Sequence, residues 1–90
     1  MIFYLVKEVS TATAENKSFA GQKHTGIYGK EDKLVAYDGD PWLNRKLDSY
    51  HIKEYGYTRK CDAVRNWTYK NPENSKYWKS AVEIVGYVVE

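Results

Sequence analysis

The side chains best suited to nucleophilic catalysis are Cys61, the single cysteine of the chain, and the two histidines, His24 and His51. A thiol nucleophile needs a nearby base, such as histidine, to take up its proton. Cys61, however, falls at helical spacing between Tyr57 and Val64, on a stripe that a helix would bury. A buried cysteine usually behaves as a small apolar side chain. We therefore interpret Cys61 as structural and expect no catalytic site.

A cation site is the second chemistry that the polar residues could support. Asp38 and Asp40 flank Gly39, but a turn followed by a helix start accounts for this Asp-Gly-Asp-Pro run, and a hard cation needs more ligands. One cysteine and two histidines cannot complete a cysteine-rich zinc site. The sequence has no glycine-rich phosphate loop, nucleophile elbow or His-x-x-x-His pair. These patterns predict no enzyme activity, no metal and no cofactor.

Basic and aromatic residues interleave between Tyr50 and Lys79. This segment has seven basic and three acidic residues, whereas the whole chain carries a formal charge of +2. Such a mixture can dock on an anionic partner, or it can be the aromatic core and charged rim of a small domain. The candidate partner-binding residues are Lys53, Arg59, Lys60, Arg65, Tyr69, Lys70, Lys76, Trp78 and Lys79.

The aromatic side chains favour binding of a protein. Tyrosine, tryptophan and arginine dominate the energetics of protein interfaces, and the chain has nine tyrosines and three tryptophans. Four of the tyrosines fall outside the positions assigned to the core: Tyr28, Tyr37, Tyr69 and Tyr77. The net charge is low for a dedicated nucleic-acid-binding domain, and no signature of such a domain is present. The sequence predicts a non-enzymatic protein-binding role, with direct nucleic-acid binding through residues 50–79 as the alternative.

Residues 50–90 carry a resemblance to a class of proteins. Tyr-Gly-Tyr-Thr-Arg-Lys-Cys at 55–61 leads into a predicted helix, and Asn-Pro-Glu-Asn-Ser-Lys-Tyr-Trp follows at 71–78. With the length and composition, this region resembles small uncharacterised proteins encoded by phages and mobile elements of Gram-positive bacteria. The resemblance implies an inhibitor or accessory factor that binds a host protein, including components of nucleic-acid-processing machinery. It transfers no functional residue to this chain.

The length and composition are those of one small domain spanning residues 1–90. A secreted domain of this size usually carries disulfides, which a single cysteine cannot form within the chain. The apolar opening from Ile2 to Val6 is too short for a membrane span and follows no basic segment, so it does not read as a signal peptide. We therefore expect a soluble, cytoplasmic protein without a membrane partner. The oligomeric state stays open.

Four segments have the composition and apolar pattern of β-strands, at residues 2–9, 25–28, 34–37 and 81–89. The first and last are apolar on both faces, which predicts that they lie side by side at the centre of a sheet. Residues 29–32 are expected to form a hairpin loop between the second and third strands.

Two helices are predicted. The main one covers residues 58–70, with Thr58 as its cap and a buried stripe formed by Tyr57, Cys61, Val64 and Thr68, with Trp67 beside it. A short helix starts at Asp40-Pro41. It either continues to Gly56 or ends near Asp48, and we favour the second, with a fifth strand at residues 50–55.

These elements predict an α+β domain. Its sheet has four to five mainly antiparallel strands, with the main helix (about 58–70) packed on one face and the short helix after Pro41. The expected core residues are Leu5, Val6, Leu34, Leu47, Cys61, Val64, Trp67, Val82 and Ile84.

Overall fold

The computed structural model of the chain describes residues 1–38, 46–68 and 76–90. Four strands form one antiparallel sheet, and their bounds are β1 (Ile2–Ala12), β2 (Lys23–Tyr28), β3 (Leu34–Asp38) and β4 (Trp78–Val88). The described helices are α1 (Ser49–Tyr55) and α2 (Lys60–Thr68), with a 3-10 turn at Lys30–Asp32 in the predicted hairpin loop. The predicted α+β class with a four-stranded antiparallel sheet is confirmed. Neither helix is long and apolar enough to span a membrane.

The strand order is β3-β2-β1-β4. β1 and β4 pair along their full length, from Ile2 opposite Val88 to Ala12 opposite Trp78, so the prediction that the terminal segments lie side by side is confirmed. The prediction that both lie at the sheet centre is wrong, because β4 is an edge strand of the described sheet. Apolar residues on both faces of β4 do not report that both faces are covered, because none of the eleven residues of this strand is buried. Such residues also do not report a backbone partner on each side.

The two helices cover opposite faces of the sheet, which we call the α1 face and the α2 face. On the α1 face, Phe3 and Leu5 of β1 form a buried cluster with Val35, Ile52 and Val89. Ile52 is the buried residue of α1, so this helix contributes one well-packed side chain to the main core.

The α2 face carries the alternate residues of each strand, among them Val6, which is fully buried. The helix buries Ala63 completely, and its Trp67 ring lies 5.4 Å from the ring of Tyr28. Trp67 also lines a small apolar groove with Val82 and Ile84 of β4 and with Val64. The nine-residue helix α2 covers only part of this face.

Residues 50–55 form α1, and the predicted fifth strand there is wrong. The Asp48 carboxylate accepts a hydrogen bond from the backbone amide of His51 at 2.8 Å, which caps the first turn. Gly56 ends the helix, and its amide donates to the Ile52 carbonyl oxygen at 2.8 Å. These two end signals outweigh the β-propensity of the tyrosines and isoleucine between them. The predicted helix start at Asp40-Pro41 lies outside the described residues, and Lys46 to Asp48 are not helical.

Removing the cap is expected to destabilise the fold in a pH-dependent way. The backbone amide of His51, with its ring, holds the pKa of the Asp48 carboxyl below its ordinary value. A lowered pKa in the folded state means that the carboxylate stabilises the fold above about pH 4, and that this contribution is lost as the pH falls through the folded pKa. Asp48→Ala should therefore lower the melting temperature at pH 7, and this effect should become smaller as the pH falls below about 4. Ser49→Ala is the control, and a pH-independent difference would contradict the assignment.

The main helix begins at Lys60, so residues 58 and 59 are not helical, and residues 69 and 70 lie outside the described ranges. Tyr57 pairs with Tyr4 as an isolated β-bridge, with backbone N–O distances of 2.7 and 2.9 Å. The predicted buried stripe therefore starts at Tyr57, which has an extended backbone and precedes the helix. As a result, the residues of α2 that face the sheet differ from the predicted ones. Ala63 faces the sheet, whereas Cys61 and Val64 are exposed.

The predicted burial of Cys61 and Val64 is therefore wrong, and Val64 is 43% exposed. Leu5 and Val6 are fully buried as predicted. The remaining predicted core residues are half-buried, namely Leu34, Leu47, Trp67, Val82 and Ile84. They lie at the margins of the two layers.

The thiol of Cys61 is expected to react in the folded protein as a surface thiol does, because reactivity requires access to the sulfur. Ellman's reagent should modify the native chain at a rate close to that of the urea-unfolded chain. Cys61→Ser should leave the melting temperature almost unchanged, since surface substitutions away from special contacts have small effects. A thiol that reacts only after unfolding would contradict the exposed position.

Candidate binding cleft

An open cleft of about 390 Å³ lies on the α2 face, next to the part of the sheet that α2 covers. Every strand contributes to it through side chains that alternate along the strand. The lining residues are Glu8, Ser10, His24, Gly26, Tyr28, Tyr37, Trp78 and Ser80. A second cavity of about 450 Å³ on the α1 face is lined, among the described residues, by aliphatic, threonine, lysine and aspartate side chains and by one aromatic residue. The cleft on the α2 face is thus the aromatic one.

The strand register assembles the cleft from distant parts of the chain. Ser10 on β1 lies opposite His24 on β2 and opposite Ser80 on β4. The Ser10 and Ser80 hydroxyl oxygens are 2.9 Å apart and share a hydrogen bond at the floor. Two residues earlier on β1, Glu8 lies opposite Gly26. Backbone pairing therefore fixes the floor rigidly, as a binding site requires.

One wall is the Tyr28 ring, which lies flat over Gly26. A Cβ atom at Gly26 would approach the Tyr28 Cε2 atom to 2.8 Å and its hydroxyl oxygen to 2.9 Å, so only glycine leaves room for this ring position. Trp67 supports the ring from the α2 side. Burial raises the pKa of the Tyr28 phenol, and the negative charge of Glu8 adds to this effect. The hydroxyl therefore stays protonated and can donate a hydrogen bond.

The opposite wall consists of His24, Tyr37 and Trp78. The Nδ1 atom of His24 lies 3.1 Å from the Tyr37 hydroxyl oxygen, within hydrogen-bond distance. The Trp78 ring packs edge-on against His24 with centroids 5.2 Å apart, and the Phe19 ring lies 6.2 Å from it. The Nε2 atom of His24 is buried and has no hydrogen-bond partner among the described residues. A buried polar atom without a hydrogen-bond partner is uncommon in a folded protein, and in this wall the described residues provide no partner for the Nε2 atom.

The side chains considered as a nucleophile and its base do not meet in this structure. His51 is on α1 and Cys61 on α2, and these helices cover opposite faces of the sheet. His51 contacts Asp48 instead, with its Nδ1 atom 2.7 Å from a carboxylate oxygen. His24 lines the cleft, but Cys61 does not. The described part of the chain contains no group of three residues able to hold a metal ion.

The basic candidate residues on the helices are divided between the two sides of the sheet. Lys53 belongs to α1, and Lys60 and Arg65 belong to α2, with Arg59 just before it. All four are exposed. Arg59 is engaged locally, since its Nε atom donates to the Asp62 carboxylate at 3.1 Å. The described helices therefore do not form one continuous basic surface.

The other candidate residues are also separated. Trp78 lines the cleft, whereas Lys79 next to it points to the α1 face because successive strand residues alternate. Lys76 is exposed and pairs with Glu15 at 3.5 Å. Tyr69 and Lys70 lie outside the described residues. Of the nine predicted residues, the structure places Trp78 in the cleft lining.

Sequence reasoning missed most of the cleft, although a signal for it exists. The sequence pattern places Tyr28 and Tyr37 outside the core and does not assign them to a cleft. The spacing of His24, Gly26 and Tyr28 places three cleft residues on one face of β2. Only strand pairing adds the cleft residues of β1, β3 and β4 to this face. The local sequence pattern does not predict which strands pair.

Comparison with known proteins adds no relative. No protein-family model matches the chain, and no curated protein or solved structure matches it either.

Proposed function

We propose that this chain is a non-enzymatic binding protein that engages a host protein through the aromatic cleft. We further propose, from the resemblance of residues 50–90, that a phage or mobile element encodes it. It would then act as an inhibitor or accessory factor of host machinery, including nucleic-acid-processing complexes. The cleft, with aromatic walls on a rigid four-stranded floor, is the observation that carries this proposal.

The cleft has the features of an interface hot spot. Tryptophan and tyrosine are enriched among the residues that dominate binding energy, and they act best in concave sites from which water is excluded on binding. Trp78, Tyr28 and Tyr37 surround the space, and Phe19 beside Trp78 is 47% exposed. A partner side chain that enters the cleft would cover these rings together. The exposed aromatic rings support binding of a macromolecule.

The hydrogen bonds of the cleft support binding over catalysis. Ser10 and Ser80 share a hydrogen bond, and His24 lies in hydrogen-bond contact with Tyr37. A serine nucleophile would instead be held by a histidine that takes up its proton. No such serine–histidine hydrogen bond occurs among the cleft residues described here.

Trp78→Ala is expected to weaken binding of the host partner by at least about 30-fold, the loss typical of a hot-spot residue. The tagged chain is used to capture proteins from a nuclease-treated host lysate, and the captured protein is purified and titrated by calorimetry. Tyr50→Ala is the matched control, because Tyr50 is an exposed aromatic residue on α1, outside the cleft. Tyr37→Ala serves as a second cleft variant if Trp78→Ala lowers the melting temperature. Equal affinities of cleft and control variants would refute the proposal.

Direct nucleic-acid binding predicts that basic residues on the helices carry the affinity, whereas protein binding through the cleft does not. Reversing the charges of Arg59, Lys60 and Arg65 to glutamate should leave capture of the protein partner nearly unchanged, because none of the three lines the cleft. Folding should also persist, since exposed charges contribute little to stability. A captured partner that disappears on nuclease treatment, together with binding that weakens in this variant and as salt rises, would favour the nucleic-acid function.

A further inference from the structure

The cleft contains a negative charge on a chain whose net charge is positive. Among the described residues, Glu8 is the one carboxylate in the lining, and no described lysine or arginine lines it. Across the strands, Glu8 faces Gly26 and Val82, neither of which can neutralise it. Among the described residues Glu8 forms no ion pair, in contrast to Glu83, which pairs with Lys7 at 3.8 Å. The carboxylate is therefore available to an incoming positive group.

The aromatic walls favour the same kind of group. The faces of tryptophan and tyrosine rings carry a negative electrostatic potential that attracts cations within about 6 Å. Tyr28, Tyr37 and Trp78 supply three such rings around the space beside Glu8. Burial raises the pKa of the Tyr28 phenol, and the nearby negative charge of Glu8 raises it further. Aromatic rings and a carboxylate together select a cation that also has flat apolar surface.

We propose that the cleft binds an arginine side chain of the protein partner. A guanidinium group is planar, so it stacks on an aromatic ring while its forked N–H donors reach a carboxylate such as that of Glu8. Its remaining donors can bond to the tyrosine and serine hydroxyl oxygens of the lining. This inference adds the chemistry of the partner to the proposed function. It rests on the proposed function only in taking a protein as the source of the arginine.

The chemistry can be tested without the partner. N-acetyl-arginine amide is titrated into the ¹⁵N-labelled chain, and N-acetyl-citrulline amide, which has nearly the same shape without the charge, is the control ligand. We expect the arginine derivative to shift the signals of the Trp78 indole and the Gly26 amide, and to bind about 2- to 30-fold more tightly than the citrulline derivative. Equal binding of the two ligands would overturn the inference, and so would tighter binding of N-acetyl-lysine amide.

The role of Glu8 has a matched control on the same sheet. Glu8→Gln keeps the shape of the cleft and should weaken the arginine derivative at least about fivefold, because an ion pair across a few ångströms is lost. Glu83→Gln removes a carboxylate from the opposite face and should have no effect. Unchanged binding by Glu8→Gln would contradict the inference.

The two proposals can fail separately. If Trp78→Ala abolishes capture of the partner but Glu8→Gln and excess arginine derivative leave capture intact, the arginine inference is wrong and the binding function stands. If the arginine derivative binds the cleft but cleft variants still capture the partner, the guanidinium chemistry stands and the proposed interface is wrong.

Discussion

Leu5→Ala is expected to lower the free energy of unfolding by about 3–5 kcal/mol. Leu5 is fully buried in the cluster that joins β1 to α1 and β3, so its removal leaves a cavity that rigid neighbours cannot fill. A domain of this length has a total stability of about 5–13 kcal/mol. The variant should therefore lose a large part of its stability, and much of it could be unfolded at 37 °C.

Urea denaturation at 25 °C, followed by circular dichroism, measures this loss. Val88→Ala is the control, because Val88 is a strand residue of similar chemistry that is 74% exposed, and its effect should stay within about 0.5 kcal/mol. Similar losses for both variants would mean that the core does not lie on the α1 face.

The strands could be predicted from the sequence because their signal is local. Alternating apolar side chains, as at Phe3 and Leu5, recur every second residue, and this period is sufficient to place a strand. Edge and central positions could not be separated in the same way. The strand β4 is apolar on both faces and therefore reads as interior, yet none of its residues is buried and it has one backbone partner in the described sheet.

The prediction of which face of α2 is buried was wrong because of a tertiary contact. Tyr57, Cys61 and Val64 have helical spacing, but the backbone of Tyr57 pairs with Tyr4, more than fifty residues earlier in the chain. That long-range pairing delays the helix until Lys60 and turns Cys61 to the surface. A local pattern cannot report such a contact.

The cleft could not be predicted from the sequence for a similar reason. Glu8, His24, Tyr37 and Trp78 come from four strands, and only the register brings them together. A slip of one residue between two strands would move half of the site to the other face. Residue types could therefore indicate a surplus of aromatic side chains, but not the carboxylate beside them.

Gly29→Ala is expected to destabilise the fold by about 1–3 kcal/mol, and by more if the backbone cannot adjust. Gly29 follows β2 and lies beneath the end of α1. A Cβ atom there would come to 2.7 Å from the Cβ atom of Tyr55 and closer still to the Tyr55 carbonyl oxygen. The φ of Gly29 is −112°, which any residue can adopt, so the conflict is one of space and not of backbone conformation.

Gly86→Ala is the matched control for this prediction. Its new Cβ atom would lie 3.2 Å from the Ile2 Cγ2 atom and 3.3 Å from the Tyr4 Cε1 atom, which are side-chain atoms and not backbone. We expect that variant to change the free energy of unfolding by about 0.5 kcal/mol or less. Urea denaturation of both variants compares them directly. Because the contact at Gly29 is with helix backbone, which cannot rotate away, Gly29→Ala should also shift the amide signals of α1. Equal, small effects for the two glycines would show that the hairpin loop does not support the end of α1.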